Sequence, residues 1–444
     1  MTVLKITAET ETALEHAWDR NSAGLNLDRW LTVCKKEAWN MPPEILPLLV
    51  KVFGSSWYFT RFIFFRGIDI LDIFNSPADT DFTSESLYSR LAQIDNNGEL
   101  EEKLDQLRCN KNEIMLQVFL CSLDGKWSQE QQESALTMLA EVTLRILLEL
   151  LFSMKRNNIQ NISILAMGRM AGSEMNFGSD LDLIFLYSRK IEHDQSCLIR
   201  QIQTLLRHIA VPTPFGILYE IDMRLRPHGT SGTLISPVEY FIEYHSGQRE
   251  VWERQMLTRC RPVIDQSGLA EKAIKTIESL SYNEYDDSCL RTEILQMRKR
   301  VEKELGNPKD KYEIKRGSGG IMDIDFITHY LQLKHGHHFT ELRTPSTRLA
   351  LRQLERLKLL SNKQASELLS AYDYLKKIES ALRVMDLKSI SVFSQAPHKV
   401  HVLSRAIGHM NKDMDIAASE FLDVYQTVTR RVRGHFSDII GIID

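Results

Sequence analysis

Two carboxylates stand two residues apart at the head of an apolar run, in residues 178–187, GSDLDLIFLY. The run predicts a β-strand, on which Asp180 and Asp182 point to one side while Leu181 and Leu183 point into the core. Like charges held this close raise the pKa of one group unless a cation neutralises them. Mg²⁺ suits such hard oxygen ligands, and it commonly binds one or two carboxylates together with substrate phosphates. The pair therefore predicts a magnesium site.

The residues around this pair have the chemistry of phosphate binding. Gly178 permits close approach of the backbone and Ser179 adds a hydroxyl, so N–H and O–H groups can reach phosphate oxygens. A third carboxylate is needed if two metals are to bridge the attacking and departing oxygens of an in-line displacement. Asp222, in LYEIDMRLRP, suits that role. Together these residues predict phosphoryl or nucleotidyl transfer.

Two arginines follow Asp222 in the same stretch. Residues 217–225, ILYEIDMRL, predict a third strand, and a period of two puts Arg224 and Arg226 on the same side as Asp222. Guanidinium groups bind phosphate through paired N–H donors, so we expect both arginines to clamp a nucleotide. A bare D-x-D is common on protein surfaces, but one preceded by Gly-Ser and joined by a later strand carboxylate is far more specific.

The elements that must position these residues follow from hydrophobic periodicity. Residues 1–125 predict a helical N-terminal region, followed by a long amphipathic helix that Ser128 caps. Within residues 126–269, short β-rich stretches predict the order strand, turn, strand, helix, strand. Residues 270–444 predict a C-terminal helical bundle. The expected fold is therefore α+β and mostly helical, in three domains with these boundaries.

Composition excludes several classes of protein. The most apolar run, over residues 136–154, is interrupted by three charged residues, so we expect a helix and no membrane span. The N-terminus has no export signal, which predicts a cytoplasmic protein. A net charge of −4 argues against binding nucleic acid as the main task. The six cysteines form no CxxC pair, and we expect them to be buried thiols.

Several separate motifs carry a resemblance to a known family. They are GRMAGSEMNFGSDLDLIFLY, GILYEIDMRLRPHGTSG, VWERQMLTRCRPV and KRGSGGIMDIDFITHYLQL. Together they resemble one half of glutamine synthetase adenylyltransferase, in the DNA polymerase β-like nucleotidyltransferase superfamily. The resemblance runs from about residue 53 to about residue 383. It implies a polymerase β-like core with a small mixed sheet, flanked by helical domains.

The resemblance also implies an activity and its partners. It implies that Asp180, Asp182 and Asp222 bind Mg²⁺ and that nucleotide phosphates lie near Gly178 and Ser179. The implied reaction transfers AMP from ATP to a tyrosine hydroxyl of glutamine synthetase and so regulates nitrogen assimilation. The helical bundle would contact glutamine synthetase and the regulatory PII protein.

The sequence departs from the family pattern in two respects. The family enzymes carry two such halves, one that adds AMP and one that removes it by phosphorolysis to give ADP, whereas this chain has one. In addition, Arg169 stands where the family commonly has Lys, and Asp325 stands where it has Glu. Both replacements keep the charge.

The function that the resemblance implies has three interpretations. GSDLDLIFL, ILYEID and DFITHYLQL resemble the adenylylating half, whereas WERQ and the asparagine of MNFGSD resemble the removing half. We predict adenylylation. The alternatives are removal of AMP and a non-catalytic, nucleotide-sensing regulator that binds glutamine synthetase or PII.

Two further motifs allow opposing interpretations. The stretch LKHGHH, with His329 upstream, suggests a metal site, but no carboxylate or cysteine stands at ligand spacing, so a polar loop after a helix is preferred. Lys315 and Arg316 precede Gly319 and Gly320 in KRGSGG, which predicts either a phosphate-binding turn or a loop that ends at a helix. Family resemblance favours a role in shaping the site.

Overall fold

A computed structural model describes residues 7–75, 81–95, 97–152, 162–189, 195–247, 250–306, 308–309, 311–411 and 413–443. Most of these residues are helical, and the strands form one small sheet of mixed direction and a separate two-stranded pair. The predicted fold class, α+β and mostly helical with a small mixed sheet, is confirmed. The predicted domain boundaries stay predictions.

The N-terminal region is helical, as predicted. Its helices are α1 (Ala8–His16), α2 (Arg20–Lys36), α3 (Leu46–Phe53), α4 (Trp57–Arg66), α5 (Ser84–Leu91) and α6 (Leu100–Leu123), and the long helix α7 (Gln129–Phe152) follows them. The predicted cap of α7 is present. The Gln131 N–H donates to Ser128 Oγ at 3.2 Å, and the Ser128 N–H donates to Gln131 Oε1 at 2.9 Å. In the described part of the chain, no helix is long and apolar enough to span a membrane.

The sheet contains more strands than the sequence predicted. Its strands are β1 (Ile162–Met167), β2 (Leu181–Tyr187), β3 (Ile221–Asp222), β4 (Ser236–Pro237) and β5 (Cys260–Ile264), in the order β3-β2-β1-β5 with β4 also paired to β2. Strand β1 runs antiparallel to β2 and β5, whereas β3 and β4 run parallel to β2. The predicted order of strand, turn, strand, helix and strand is confirmed, and β4 and β5 are additional.

Helices cover both faces of this sheet. The accompanying helices are α8 (Gly168–Ala171), α9 (Gln195–Ala210), α10 (Val238–Ser246), α11 (Val251–Leu257) and α12 (Leu269–Ser281). Leu181 and Leu183 are buried and share one apolar core with the N-terminal helices, as predicted. Ile184 and Leu186 lie on the opposite face, in a core with residues of α10 and α12. By the period of two, Asp182 belongs to that second face.

The C-terminal region is a helical bundle. It contains α13 (Asp287–Leu305), β6 (Lys311–Glu313), α14 (Ile321–His335), α15 (Thr347–Arg356), α16 (Asn362–Asp386), β7 (Val392–Ser394), α17 (Pro397–Ile407) and α18 (Met414–Ile439). Strands β6 and β7 form an antiparallel pair. Helix α16 buries Leu368, Tyr372, Leu375 and Ile378 in an apolar core separate from the two at the sheet.

The prediction that the cysteines are buried thiols is only partly right. All six are free, and Cys34, Cys109 and Cys121 are buried. Cys289 is exposed; it lies in the first turn of α13, and its N–H donates to the carboxylate of Asp286 at 2.8 Å.

Candidate active site

Asp182 and Asp222 lie side by side on the parallel strands β2 and β3. The backbone register pairs Leu181 with Ile221 and Asp182 with Asp222. Side chains at paired positions of neighbouring strands point to the same side, so the two carboxylates face a common site. Asp180 directly precedes β2, at the same end of the sheet. The three carboxylates that the sequence singled out are therefore brought together.

This site concentrates negative charge. The pKa of Asp182 is raised to about 7 by burial and by the negative charges of Asp180 and Asp222, while the positive charges of Lys315 and Arg259 oppose the rise. A cation bound among the carboxylates would remove the repulsion that raises this pKa. Three carboxylates form the hard-oxygen donor set that suits Mg²⁺, so the residues present fit a divalent metal.

Arg224 is an exposed cation beside the site. Its Nε donates to Asp222 Oδ1 at 3.0 Å and to Oδ2 at 2.8 Å, and its Nη2 also donates to Oδ2. This side-chain hydrogen bond is the main reason that the pKa of Asp222 is lowered. The Arg224 side chain is 74% exposed, so it can move towards a phosphate without disturbing the core.

The prediction that Asp222, Arg224 and Arg226 share one face of a strand is wrong. Strand β3 ends at Asp222, whose carboxylate accepts the Arg224 backbone N–H at 2.8 Å and turns the chain. Arg226 instead donates to three carbonyl oxygens within residues 223–232 and closes the loop after β3. Binding of phosphate by Arg226 stays a prediction, which this arrangement does not favour.

The Gly178–Ser179 turn is supported by the bundle. Gly178 has a φ of +58°, and a Cβ there would lie 3.0 Å from the backbone of residues 387–388. Glycine is therefore required both by the conformation and by the close approach. The buried Ser179 Oγ accepts the Asn176 N–H at 2.9 Å and Arg383 Nη1 at 3.0 Å, which leaves its own O–H as a donor. Contact of this turn with phosphate stays a prediction.

Gly168 is a site residue that the sequence reasoning missed. It has a φ of +56°, and a Cβ there would lie only 2.6 Å from Asp182 Oδ2. Arg259 holds it in place, because the Gly168 N–H donates to the Arg259 carbonyl at 3.0 Å and Arg259 Nε donates to the Gly168 carbonyl at 3.1 Å. The available signal was a glycine directly after a strand, which often marks close approach of the backbone.

A network of buried charges lies behind the carboxylates and joins them to the bundle. Glu174 accepts the Thr347 N–H and the Tyr372 hydroxyl, each at 2.7 Å, and forms an ion pair with Arg259. Burial alone would raise the pKa of Glu174, but Arg259 and Arg169 hold it well below its ordinary value. The network also includes Asp325, Arg348, Lys376, Glu379 and Arg383.

Lys315 supplies a second cation near the carboxylates. It lies between β6 and α14, and its positive charge acts on Asp182. Burial, helped by the positive charge of Arg169, lowers its pKa to about 8, so the ammonium is still mostly charged at neutral pH. Among the residues described, no carboxylate forms an ion pair with Lys315. Its charge is therefore available to an anionic ligand.

The loop that carries Lys315 is held by hydrogen bonds to Glu313. Glu313 accepts the backbone N–H groups of Lys315 at 2.9 Å and Arg316 at 3.2 Å. The loop ends at α14, as one of the two interpretations predicted. At that helix start the buried carboxylate of Asp323 is paired with the buried guanidinium of Arg298. Both interpretations of KRGSGG are thus compatible, since the loop leads into a helix and also places a cation by the site.

The suggested grouping of four histidines is wrong. His329 points into the buried network, where burial lowers its pKa to about 4. His337 and His338 lie in the loop after α14, which agrees with the preferred interpretation of a polar loop. They are accompanied there by Glu284, a carboxylate from a distant part of the sequence.

Comparison with family models divides the chain into two matched regions. Residues 48–276 match the model described as glutamate-ammonia ligase adenylyltransferase, and this region contains every predicted site residue. Residues 290–440, which include the bundle and Lys315, match the model described as GlnD PII-uridylyltransferase.

This chain is similar to several known proteins that share one description. The chain is 28% identical over 360 residues to a relative from Chromobacterium violaceum, covering 79% of this chain and 40% of the relative. It is 32% identical to relatives from Nitrosomonas europaea, over 289 residues, and Bradyrhizobium diazoefficiens, over 308 residues. Those matches cover 64% and 66% of this chain, and 31% of each relative.

All three relatives are described as bifunctional glutamine synthetase adenylyltransferase/adenylyl-removing enzymes. The chain spans less than half the length of these relatives. The family match nevertheless extends over half of the chain and contains the three carboxylates. The resemblance seen in the sequence is confirmed: the chain belongs to the glutamate-ammonia ligase adenylyltransferase family.

Proposed function

We propose that this chain is an Mg²⁺-dependent nucleotidyltransferase that transfers AMP from ATP to a tyrosine hydroxyl of glutamine synthetase. The observation that carries the proposal is the register of Asp182 against Asp222, with Asp180 at the same end of the sheet. This arrangement brings the three carboxylates to the same end of the sheet, where the charges of Asp180 and Asp222 act on Asp182 and favour a bound cation.

In the proposed reaction, the tyrosine oxygen bonds to the α-phosphorus of ATP while the bond from that phosphorus to the bridging oxygen breaks and pyrophosphate leaves. Asp180, Asp182 and Asp222 would hold Mg²⁺, which neutralises charge on the triphosphate when bound. Asp222 has a lowered pKa and is ionised at neutral pH. Its carboxylate can therefore accept a hydrogen bond from the attacking hydroxyl.

Other groups of the chain would bind the triphosphate. Arg224 is exposed and can exchange its ion pair with Asp222 for a phosphate. Lys315 brings a charge that forms no ion pair with a described carboxylate, from a loop whose backbone donates hydrogen bonds to Glu313. Gly178 and Ser179 would add backbone and hydroxyl donors. Cations held in advance near developing negative charge stabilise it without reorganisation during the reaction.

The bundle is the proposed surface for glutamine synthetase and for the PII protein, and we propose a cytoplasmic location. The match of residues 290–440 to a PII-uridylyltransferase model supports a role for this region in PII-linked regulation. The descriptions of the relatives support glutamine synthetase as the protein substrate.

Adenylylation is proposed in preference to two alternatives. Phosphorolytic removal of AMP would use the same carboxylates, and WERQ and the asparagine of MNFGSD resemble the removing half, but GSDLDLIFL, ILYEID and DFITHYLQL favour the adenylylating half. A non-catalytic regulator is disfavoured because Asp180, Asp182 and Asp222 are all present and brought together.

The test is to incubate the purified chain with Mg²⁺, α-labelled ATP and unmodified glutamine synthetase. Label on the synthetase, with release of pyrophosphate, would support adenylylation. Phosphate-dependent release of ADP from pre-adenylylated synthetase, without the forward transfer, would identify the removing activity. Saturable binding to the synthetase with neither reaction would favour the regulator.

A further inference from the structure

Glu284, His337 and His338 converge on the surface of the bundle. One ligand atom from each lies within 4.8 Å of those from the other two. His337 Nε2 is 3.6 Å from Glu284 Oε1, and the two imidazole rings are 3.6 Å apart between centroids. In the sequence, the absence of a carboxylate at ligand spacing counted against a metal site. Glu284, in the segment between α12 and α13, supplies that carboxylate.

The ring nitrogens of His337 have a hydrogen-bonding capacity that the protein does not use. Neither of its ring nitrogens has a hydrogen-bond partner in the described structure, although both nitrogen atoms are shielded from solvent. The side chain as a whole is 21% exposed. Shielded polar atoms are normally hydrogen-bonded, and one without a hydrogen-bond partner calls for another explanation, such as a bound ion.

The position of the cluster is built into the fold. Helix α14 ends next to Gly336, where a Cβ would lie 2.4 Å from the ring of the buried Tyr282. This contact brings the residues after Gly336 against the segment that follows Tyr282, which contains Glu284. Arg343 reinforces it, since its Nε donates to the Gly336 carbonyl at 2.8 Å and its guanidinium lies 5.3 Å from the Tyr282 ring centroid.

We propose that Glu284, His337 and His338 bind a transition-metal ion of the Zn²⁺ class. Two imidazoles and one carboxylate suit Zn²⁺, and three protein ligands leave a fourth position for water. A nitrogen-rich donor set distinguishes this site from the three aspartates, whose oxygen ligands suit Mg²⁺. A bound ion would link the end of α14 to the segment between the two family-matched regions.

The test measures Zn²⁺ binding to the full chain by competition with a chromophoric chelator, in excess Mg²⁺ to occupy the aspartates. Loss of outer-shell partners alone weakens metal binding by about 10- to 100-fold, so loss of a direct ligand should weaken it by at least about tenfold. We expect this loss in His337→Ala, in His338→Ala and in Glu284→Gln. The control Cys289→Ser, which removes a nearby exposed thiol, should bind one Zn²⁺ as the parent chain does.

Thermal unfolding gives an independent readout. Zn²⁺ should raise the Tm of the parent chain and of Cys289→Ser, but not of His337→Ala, because only an ion bound to the folded state stabilises it. The metal-free scan shows whether each variant is folded, and the exposed Glu284 provides a variant that leaves the core intact. Equal Zn²⁺ affinity in the parent chain and in the His337→Ala/His338→Ala double variant, or loss of binding in Cys289→Ser, would overturn the proposal.

Discussion

Arg169 and Asp325 form a largely buried ion pair, with Nη2 of the arginine 2.7 Å from Oδ2 of the aspartate. These are the two positions at which the sequence analysis identified departures from the family motifs, with Lys commonly expected at the first and Glu at the second. The longer cation faces the shorter carboxylate, so the two departures compensate each other in length. The pair joins α8, beside the carboxylates, to α14 of the bundle.

This compensation predicts coupled effects on stability. Arg169→Lys and Asp325→Glu should each lower the free energy of unfolding by about 1–3 kcal/mol, because each disturbs a buried charge network. The double variant should lose less than the sum, with a coupling of at least about 1 kcal/mol. Urea unfolding measures all four forms.

The exposed pair of Arg352 and Glu130 is the control for this cycle. The corresponding variants Arg352→Lys and Glu130→Asp should show almost no coupling, because exposed ion pairs contribute little. Additive effects at Arg169 and Asp325 would show that the two positions are independent.

Arg224 and Arg226 should give opposite phenotypes. Arg224→Ala should raise the KM for ATP and leave the free energy of unfolding unchanged, because this side chain is exposed and, among the described residues, its hydrogen bonds go to Asp222 alone. Arg226→Ala should lower the free energy of unfolding by about 2 kcal/mol, since a charged donor to loop carbonyls is lost. Steady-state kinetics and urea unfolding on both variants decide this. A destabilised Arg224→Ala with unchanged KM would refute the assignment.

Lys315 should act on the triphosphate. Lys315→Met should lower kcat/KM for ATP by about 100-fold, the usual cost of removing one electrostatic stabiliser from an active site. Lys377→Met is the control, because it makes the same change at an exposed lysine of the bundle, which donates to the Ile407 carbonyl. Equal rates in both variants would exclude a direct role for Lys315. Circular dichroism establishes that both are folded.

The stability of the chain should fall in acid because of Glu174. Burial favours its neutral form, but Arg259 and Arg169 outweigh this and lower its pKa below the ordinary 4.5. The unfolded state therefore binds the proton first, so the stabilisation is fully present above about pH 5 and is lost as the pH falls below 4.5 towards the folded pKa. Urea unfolding from pH 7 to pH 3 should show a steeper loss in the parent chain than in Glu174→Gln. Identical pH profiles would contradict this.

The sequence predicted the parts of the site that depend on local patterns. The alternation in residues 178–187 correctly placed Leu181 and Leu183 in the core and Asp182 on the opposite face. The same alternation failed after Asp222, because a side-chain hydrogen bond to the backbone of Arg224 ends the strand. Such a local turn competes with strand pairing, and a period of two does not reveal it.

The remaining features depend on contacts between distant segments. Strand β5 and the approach of Gly168 to Asp182 come from pairing across the sheet. Likewise, Glu284 meets His337 only because α14 ends against the ring of Tyr282. Single-sequence periodicity describes one element at a time, so it predicts which residues are candidates but not which distant candidates meet.

The central claim is that the carboxylates of β2 and β3 form the catalytic site, and the most direct test compares the parent chain with Asp182→Asn. The substitution removes charge but almost no volume, so the variant should fold, with an unchanged or higher free energy of unfolding because repulsion with Asp180 and Asp222 is relieved. The rate of Mg²⁺-dependent AMP transfer to glutamine synthetase should fall by at least about 1,000-fold. A folded Asp182→Asn variant that transfers AMP at the rate of the parent chain would contradict the account.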